Sequence, residues 1–196
     1  MELGIARKTI LEIGRELAKE GLVAATNGNI SLRLDETTVL ITATGKNKGR
    51  LEAGDLLLAR LGALPPLGAS METGLHLLIY QARPEVRAVI HAHPPIATAW
   101  AAANLVPGGE KAILPEIALN LGKIGLAAYA EPGSQALALA VREALAQGNA
   151  ALLANHGAVT VGDDLWQAYD RLVLLEHYAQ TMLWAHLLGG AVSIDN

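Results

Sequence analysis

Short β-type segments are interleaved with helical segments along this chain, and this mixture narrows its possible folds more than any other feature. In residues 30–34, apolar and polar side chains alternate as in a half-buried strand. Residues 37–45 and 55–61 contain similar runs, and Asn27-Gly28 marks a tight turn before the first run. The first two runs predict an antiparallel hairpin, and the third predicts another strand.

Helical periodicity of apolar residues appears in five other segments. They cover residues 2–20, 70–83, 94–104, 134–147 and 164–188. Ser70 is the predicted N-cap of the second helix, and Pro84 ends that helix.

Four more strands are predicted among these helices, at residues 86–93, 125–130, 151–156 and 158–162. Hydrophobic residues form 52% of the chain, but aromatic residues form only 4% and Phe is absent. The core must therefore consist of Ala, Leu, Val and Ile, which suits a sheet covered by helices. The predicted fold is α/β: a three-layer α/β/α sandwich with a mixed, largely antiparallel central sheet, in a single domain over residues 1–196.

Composition excludes several classes of function. The formal net charge of −4 and the absence of a dense Lys/Arg cluster argue against nucleic-acid binding. Cysteine is absent, so disulfides and thiolate metal sites are excluded. The N-terminus predicts a helix rather than a signal peptide, and no uncharged window is long enough to cross a membrane, so we expect a cytoplasmic protein.

Two histidines stand one residue apart at the end of a predicted strand. His91 and His93 share a face of that strand, with Cα atoms roughly 6.5–7 Å apart. His156 ends another apolar strand, next to Gly157, and Glu72 begins the helix that leads into the His91 strand. Three imidazoles with an open fourth position are typical of catalytic Zn²⁺. Taken alone, His91 and His93 also fit a structural role, and Glu72 also fits a solvated acid in a first helical turn.

The other histidines do not extend this cluster. His177 and His186 lie nine positions apart on one predicted helix, half a turn out of phase, so they cannot share an ion. We expect them to be structural or at the surface. His76 lies one helical turn after Glu72 and fits either a supporting contact or simple packing.

Two turns that contain glycine, at residues 26–29 and 44–49, match neither a Walker loop nor a dinucleotide-binding motif. Both fit ordinary hairpin turns. Their backbone N–H groups, with Lys46 or Lys48 nearby, could also bind a phosphate.

The segments TNGNISLR, ITATGK, SMETGLHLLIYQARPEVRAVIHAH and LLANHG occur in this order along the chain. Together they resemble the class II aldolase/adducin family, and most closely its L-fuculose-1-phosphate aldolase branch. The resemblance covers nearly the whole chain. It implies an α/β/α domain, one Zn²⁺ per subunit, and a homotetramer with active sites at subunit interfaces.

The resemblance also implies roles for individual residues. His91, His93 and His156 match the zinc ligands, and Glu72 matches the acid that contacts the metal and acts as the base. The positions that match the family's substrate-phosphate site, or lie in its loop, are Thr26, Asn27, Gly28, Asn29, Thr44, Gly45 and Ser70.

Two positions and the C-terminal end depart from the family pattern. Met71 replaces a serine of the phosphate loop, and Leu119 stands near the place of the tyrosine that donates a proton in the fuculose-phosphate enzymes. Glu116, in the same segment, is similar to the acid/base of the epimerase and dehydratase branches. A C-terminal tail that covers a neighbouring site is expected to be short or missing after Asn196.

The activity that the resemblance implies is a zinc-dependent aldolase reaction on a ketose 1-phosphate. With L-fuculose 1-phosphate, cleavage through an enediolate would give dihydroxyacetone phosphate and lactaldehyde. One alternative is a sugar-phosphate 4-epimerase or dehydratase that uses Glu116. A second is an adducin-like interaction domain without activity, although the presence of all three histidines argues against it.

Overall fold

A computed structural model of the protein describes residues 2–109 and 113–193. Within these ranges, the chain forms seven strands and six helices. The strands are β1 (Asn29–Arg33), β2 (Thr38–Thr42), β3 (Leu56–Arg60), β4 (Ala88–Ala92), β5 (Gly125–Ala127), β6 (Ala150–Leu153) and β7 (Gly157–Gly162). The helices are α1 (Leu3–Lys19), α2 (Thr73–Ala82), α3 (Pro95–Ala102), α4 (Pro115–Asn120), α5 (Gln135–Ala144) and α6 (Leu165–Leu187).

The strands form a single sheet in the order β3-β2-β1-β4-β7-β6-β5. Neighbouring strands are antiparallel except β5 and β6, which are parallel. The sheet is therefore mixed and largely antiparallel, as predicted. In the register of its centre, Asn29 of β1 lies opposite His91 of β4, and His91 lies opposite Val159 of β7.

Helices cover both faces of the sheet. One core contains side chains of α1, α3, α4 and α6, and the other contains side chains of α2 and α5. The central strand β4 shows why both layers are needed: Val89 packs into the second core, and Ile90 packs into the first. A strand buried on both faces needs apolar residues at successive positions, which its sequence provides. This arrangement confirms the predicted three-layer fold.

The structure corrects several predicted boundaries. Helix α2 begins at Thr73 with Glu72 as its N-cap, so Ser70 is not the N-cap that we expected. Instead the Ser70 carbonyl accepts hydrogen bonds from the Thr73 backbone and hydroxyl groups, which closes a turn before the helix. The short helix α4 was not predicted, because its six residues are too few to show clear periodicity.

Five strands, β2 to β6, are shorter than predicted, and in β4 and β6 the change affects the end that carries a histidine. Strand β4 ends at Ala92, so His93 follows it directly. Strand β6 ends at Leu153, and His156 lies in the tight connection to β7. No helix in the described part of the chain is long and apolar enough to span a membrane.

Candidate metal centre

The three histidines that the sequence singled out converge at one end of the central strands β4 and β7. His91 is the fourth residue of β4, His93 follows that strand, and His156 precedes β7, which pairs with β4. Their ring centroids lie 4.8–5.1 Å apart. One nitrogen from each ring falls within 4.8 Å of the other two, so the three imidazoles can bind one ion.

Gly157 permits this close approach. A Cβ atom at this position would lie 2.5 Å from the carbonyl oxygen of Ala92 and 2.8 Å from Cδ2 of His93. Both distances are shorter than a normal contact. A side chain at residue 157 would therefore push the two histidine-bearing segments apart.

Glu72 lies beside the same nitrogens. Its Oε2 atom is 3.1 Å from Nε2 of His91, and its Oε1 atom is 3.4 Å from Nε2 of His156. Only 6% of the Glu72 surface is exposed, so the interpretation of this residue as a solvated acid is wrong. Burial raises the pKa of Glu72, but His91, the Asn29 hydrogen bond and His156 together hold it below its usual value.

The protonation of His91 follows from its backbone contact. Its Nδ1 atom lies 2.9 Å from the carbonyl oxygen of Ala158, which can only accept, so Nδ1 carries the proton of the neutral ring. The Nε2 lone pair is then free, and it faces Nε2 of His93 at 3.1 Å. Tetrahedral Zn²⁺ with bonds of about 2.0–2.1 Å holds neighbouring nitrogens about 3.3 Å apart, so this spacing fits a shared ion.

Two further observations support a cation at this point. Burial lowers the pKa of His93 to about 4 and also lowers that of His156, and in both cases the neighbouring His91 ring adds to the effect. Both rings are therefore neutral near pH 7 and can donate lone pairs to a metal. Oε1 of Glu72 and Nδ1 of His156 are buried without a hydrogen-bond partner among the described residues. The donor set thus fits a divalent ion, with three imidazoles and a nearby carboxylate.

A cleft of about 430 Å³ opens above the histidines. Glu72, His93 and His156 line it, together with all the residues predicted to hold the substrate phosphate: Thr26, Asn27, Gly28, Asn29, Thr44, Gly45 and Ser70. Met71 also lines the cleft and is 71% exposed.

Gly28 has a structural reason to be glycine. Its φ angle is +76°, and a Cβ atom there would lie 2.6 Å from the carbonyl oxygen of His91. The loop at residues 26–29 therefore packs directly on strand β4, at His91.

The sequence left open whether Lys46 or Lys48 lies at the cleft, and the structure shows that it is Lys48. Lys46 is half exposed and pairs with Asp55 at 2.8 Å. Lys48 is only 1% exposed, lines the cleft, and donates hydrogen bonds to the carbonyl oxygens of Thr26 and Lys46 at 2.8 and 2.6 Å. Burial lowers the pKa of Lys48 to about 8. The structure thus distinguishes the two lysines, which their positions in one short loop could not.

The structure does not bring every candidate to this cleft. Glu116 lies exposed on α4 and lines a different cleft with Asp164 and Arg171, and Leu119 of the same helix is 83% exposed. The role of Glu116 therefore stays a prediction. His177 and His186 are exposed on α6, as expected for surface residues.

His76 is completely buried, and its ring contacts side chains on both sides. Nδ1 lies 2.6 Å from the Ser31 hydroxyl, and Nε2 contacts Oδ1 of Asn29. Asn29 in turn donates a hydrogen bond of 2.8 Å to Oε2 of Glu72. Of the two interpretations of His76, these hydrogen bonds support the one in which His76 makes a supporting contact, rather than simple packing.

Known proteins share both the sequence and the fold of this chain. Residues 8–183 match the family model described as the Class II Aldolase and Adducin N-terminal domain. A 3-oxo-tetronate 4-phosphate decarboxylase of Haemophilus influenzae is 34% identical over 181 residues, which cover 89% of this chain and 85% of that protein. A methylthioribulose-1-phosphate dehydratase of Methylococcus capsulatus is 33% identical over 183 residues, with coverage of 86% and 88%.

A comparison with a solved structure also shows the similarity of the fold. The crystal structure of L-fuculose-1-phosphate aldolase from Thermus thermophilus superposes with a TM-score of 0.83 and 33% identity. The match covers 93% of this chain and 95% of that one. These similar proteins are named for three different reactions, all on phosphorylated compounds of a few carbons.

Proposed function

Because the chain belongs to the class II aldolase and adducin family, we propose that it is a metal-dependent lyase that forms the enediolate of a small phosphorylated ketone. The observation that carries this proposal is the position of Glu72. Its carboxylate lies 3.1–3.4 Å from Nε2 of His91 and His156, at the base of a cleft lined by two turns that contain glycine. A base beside a divalent cation is what proton transfer next to a carbonyl requires.

We propose that the ion is Zn²⁺, held by His91, His93 and His156. When bound, it supplies a positive charge that lowers the energy of the oxyanions formed next to it. Glu72 takes the proton of the hydroxyl group whose carbon becomes the aldehyde, and the carbon–carbon bond breaks. Glu72 then returns the proton to the carbon next to the ketone.

The substrate phosphate is proposed to bind at the opposite end of the cleft. Backbone N–H groups at Gly28 and Gly45, the hydroxyl of Ser70, and the ammonium of Lys48 support this placement, since all of these residues line the cleft. Met71 leaves one hydroxyl fewer than the family pattern provides.

We propose L-fuculose 1-phosphate as the first substrate to test, with cleavage to dihydroxyacetone phosphate and lactaldehyde. A second candidate is the decarboxylation of 3-oxo-tetronate 4-phosphate, which the Haemophilus influenzae relative supports. Loss of CO₂ from that 3-oxo acid leaves the same three-carbon enediolate as the aldol cleavage. Both candidates thus need the same metal and phosphate sites, and they differ only in the bond that breaks.

The shared step can be tested without knowledge of the true substrate. Wild-type protein with Zn²⁺ should exchange a proton of dihydroxyacetone phosphate for solvent deuterium, as measured by NMR. Glu72→Gln should keep about one Zn²⁺ per chain but lose this exchange, because the amide cannot accept the proton. His93→Ala should lose both metal and exchange, whereas His177→Ala, on the exposed face of α6, should keep both. Unchanged exchange in Glu72→Gln would contradict the proposed base.

Product analysis then separates the candidate reactions. Release of lactaldehyde from L-fuculose 1-phosphate supports the aldolase, and release of CO₂ from 3-oxo-tetronate 4-phosphate supports the decarboxylase. Release of neither, from a protein that holds Zn²⁺ and exchanges deuterium, supports the epimerase or dehydratase alternative.

Glu116 is the proposed acid/base of that alternative, and it lies outside the cleft formed by the histidines of its own chain. We propose a homotetramer with active sites at subunit interfaces, as the family resemblance implies, and in that assembly Glu116 would act at the metal centre of a neighbouring copy. If Glu116→Gln and His93→Ala are each inactive, a refolded mixture of the two should regain part of the activity, because hybrid interfaces contain one intact site. A mixture that stays inactive while forming mixed tetramers would argue against a shared site.

A further inference from the structure

A row of buried polar side chains lies behind Glu72, and the proposed proton transfer does not use it directly. Asn29, His76, Ser31 and Tyr80 follow Glu72 in order, and each is at most 4% exposed. Asn29 Nδ2 lies 2.8 Å from Oε2 of Glu72, and Oδ1 of the same amide contacts Nε2 of His76. Nδ1 of His76 lies 2.6 Å from the Ser31 hydroxyl, which lies 2.8 Å from the Tyr80 hydroxyl.

The chemistry of these groups fixes the direction of each hydrogen bond. The Glu72 carboxylate can only accept, so the Asn29 NH₂ group faces it, and Oδ1 of Asn29 must accept from His76. Nε2 of His76 therefore carries a proton. Burial holds the pKa of His76 near 3, so the ring has only this proton and its Nδ1 atom accepts from Ser31. Since Ser31 uses its hydrogen on His76, its oxygen accepts from the Tyr80 hydroxyl at 2.8 Å, and the Arg87 carbonyl oxygen lies farther from that hydroxyl, at 3.4 Å.

All four hydrogen bonds thus point toward the Glu72 carboxylate. Hydrogen bonds arranged in one direction polarise one another, so each donor in the row is strengthened by the one behind it. The row also lies on rigid elements, since Asn29 and Ser31 belong to β1 and His76 and Tyr80 belong to α2. It fixes Oε2 of Glu72, which also lies 3.1 Å from Nε2 of His91, whereas Oε1 lies 3.4 Å from Nε2 of His156 and has no hydrogen-bond partner among the described residues.

We propose that His76 is a positioning residue, which orients the Asn29 amide so that Glu72 holds Oε2 beside His91 and leaves Oε1 free to accept the substrate proton. His76 touches neither the histidine ligands nor the cleft, so it acts through Asn29. This inference rests on the proposed role of Glu72 as the base. The competing interpretation is a polar cluster that only stabilises the fold.

The test compares variants that stay folded and hold metal. His76→Phe fills the same space but removes the donor to Asn29, so it should lower the rate constant of deuterium exchange into dihydroxyacetone phosphate by about 100-fold, the usual cost of a small misplacement. KM and zinc content should change little, because ligands and cleft are intact. His76→Gln keeps an N–H group near the position of Nε2 and should restore most of the rate.

Thr160→Val is the matched control. Thr160 is fully buried and donates a 2.8 Å hydrogen bond to the carbonyl oxygen of Ala168, outside this row. The variant should lose stability but keep its exchange rate. Equal loss of rate in Thr160→Val and His76→Phe, or an unchanged rate in a folded His76→Phe, would overturn the proposal. If His76→Phe does not fold, Ser31→Ala replaces it, with a smaller expected loss of about 10-fold.

Crystal structures of the wild type and the chosen variant provide a readout that does not depend on activity. The proposal requires Asn29 to release Oε2 of Glu72 in the variant, with the distance between the two groups beyond hydrogen-bond range. An unchanged Asn29–Glu72 contact would overturn it. A wild type that exchanges no deuterium would contradict the proposed function instead, and the structures would still decide whether His76 orients Glu72.

Discussion

Lys48 is a buried ammonium group held beside the metal centre by two backbone carbonyls. These bonds to Thr26 and Lys46 use two of its three hydrogens, and none of the ion pairs found in the described ranges involves it. A buried cation without an acidic partner is costly, which is why its pKa falls to about 8. An anion bound in the cleft would provide the missing partner.

Lys48→Met should therefore weaken the binding of inorganic phosphate to the zinc-loaded protein by about 10- to 100-fold, since a hydrogen bond to a charged group contributes about 1.5–3 kcal/mol. Isothermal titration calorimetry measures this directly. Lys46→Met is the matched control, because Lys46 is half exposed and already paired with Asp55. Equal losses in the two variants would contradict a specific role for Lys48.

The pKa of Lys48 also predicts how the binding of phosphate depends on pH. Below its pKa of about 8 the side chain is charged, and above that pH it becomes neutral. Dihydroxyacetone phosphate serves as the ligand in this measurement, because a phosphate monoester is mostly a dianion above about pH 6 and its own charge changes little in this range. Wild-type binding should thus weaken as the pH rises from 7 to 10, whereas Lys48→Arg should keep a constant charge. A flat profile in the wild type would contradict the assignment.

The connection between β6 and β7 determines where His156 points. Asn155 adopts a left-handed φ of +55°, which ends β6 after Leu153 and turns the chain back toward β7. Asparagine tolerates this conformation better than other residues with a Cβ atom, and β-branched residues tolerate it worst. The position of His156, one of the three proposed metal ligands, therefore depends on the backbone of the residue before it.

Asn155→Val should lower the free energy of unfolding by about 1–2 kcal/mol, because a β-branched residue is strained in the left-handed region. Asn155→Gly should be close to neutral. Urea unfolding of the apo proteins measures both. If the two variants have equal stability, the turn does not require this conformation.

The sequence predicted the histidine cluster because strand geometry has a fixed period. His91 and His93 are two residues apart, which predicted that they face the same way, and the apolar run before them predicted a buried strand, although β4 itself ends at Ala92. The predicted start of α2 was wrong, because Ser70 offers a good capping side chain but its carbonyl closes a turn before the helix. Lys48 could not be chosen over Lys46, since only the folded loop determines which lysine is buried.

The order of the seven strands is a property of the whole molecule. It places β4 between β1 and β7, which brings Asn29 and the segment after His156 to either side of His91. These pairings join residues far apart in the chain, and the local patterns of hydrophobicity that predicted the layers do not specify them. The residues of the site were thus predictable, but the contacts between them, such as Asn29 with Glu72, were not.

Because the ligands come from separate segments of the fold, a metal that binds only the folded protein should stabilise the whole molecule. At a free Zn²⁺ concentration about 1,000 times the dissociation constant, linkage gives about 4 kcal/mol. For a chain of this size that corresponds to a rise in Tm of about 8–16 °C. Differential scanning calorimetry of the apo and zinc-loaded protein should show this rise.

His93→Ala should abolish this rise in Tm, since the remaining ligands cannot form the three-nitrogen site. His177→Ala should show the full rise, because that ring is exposed on α6 and takes no part in the cluster. The comparison matters because zinc also binds unfolded chains through histidine, which reduces stabilisation in every variant alike. A wild-type Tm that does not respond to zinc, or a response that His93→Ala retains, would mean that the three imidazoles do not form a metal site.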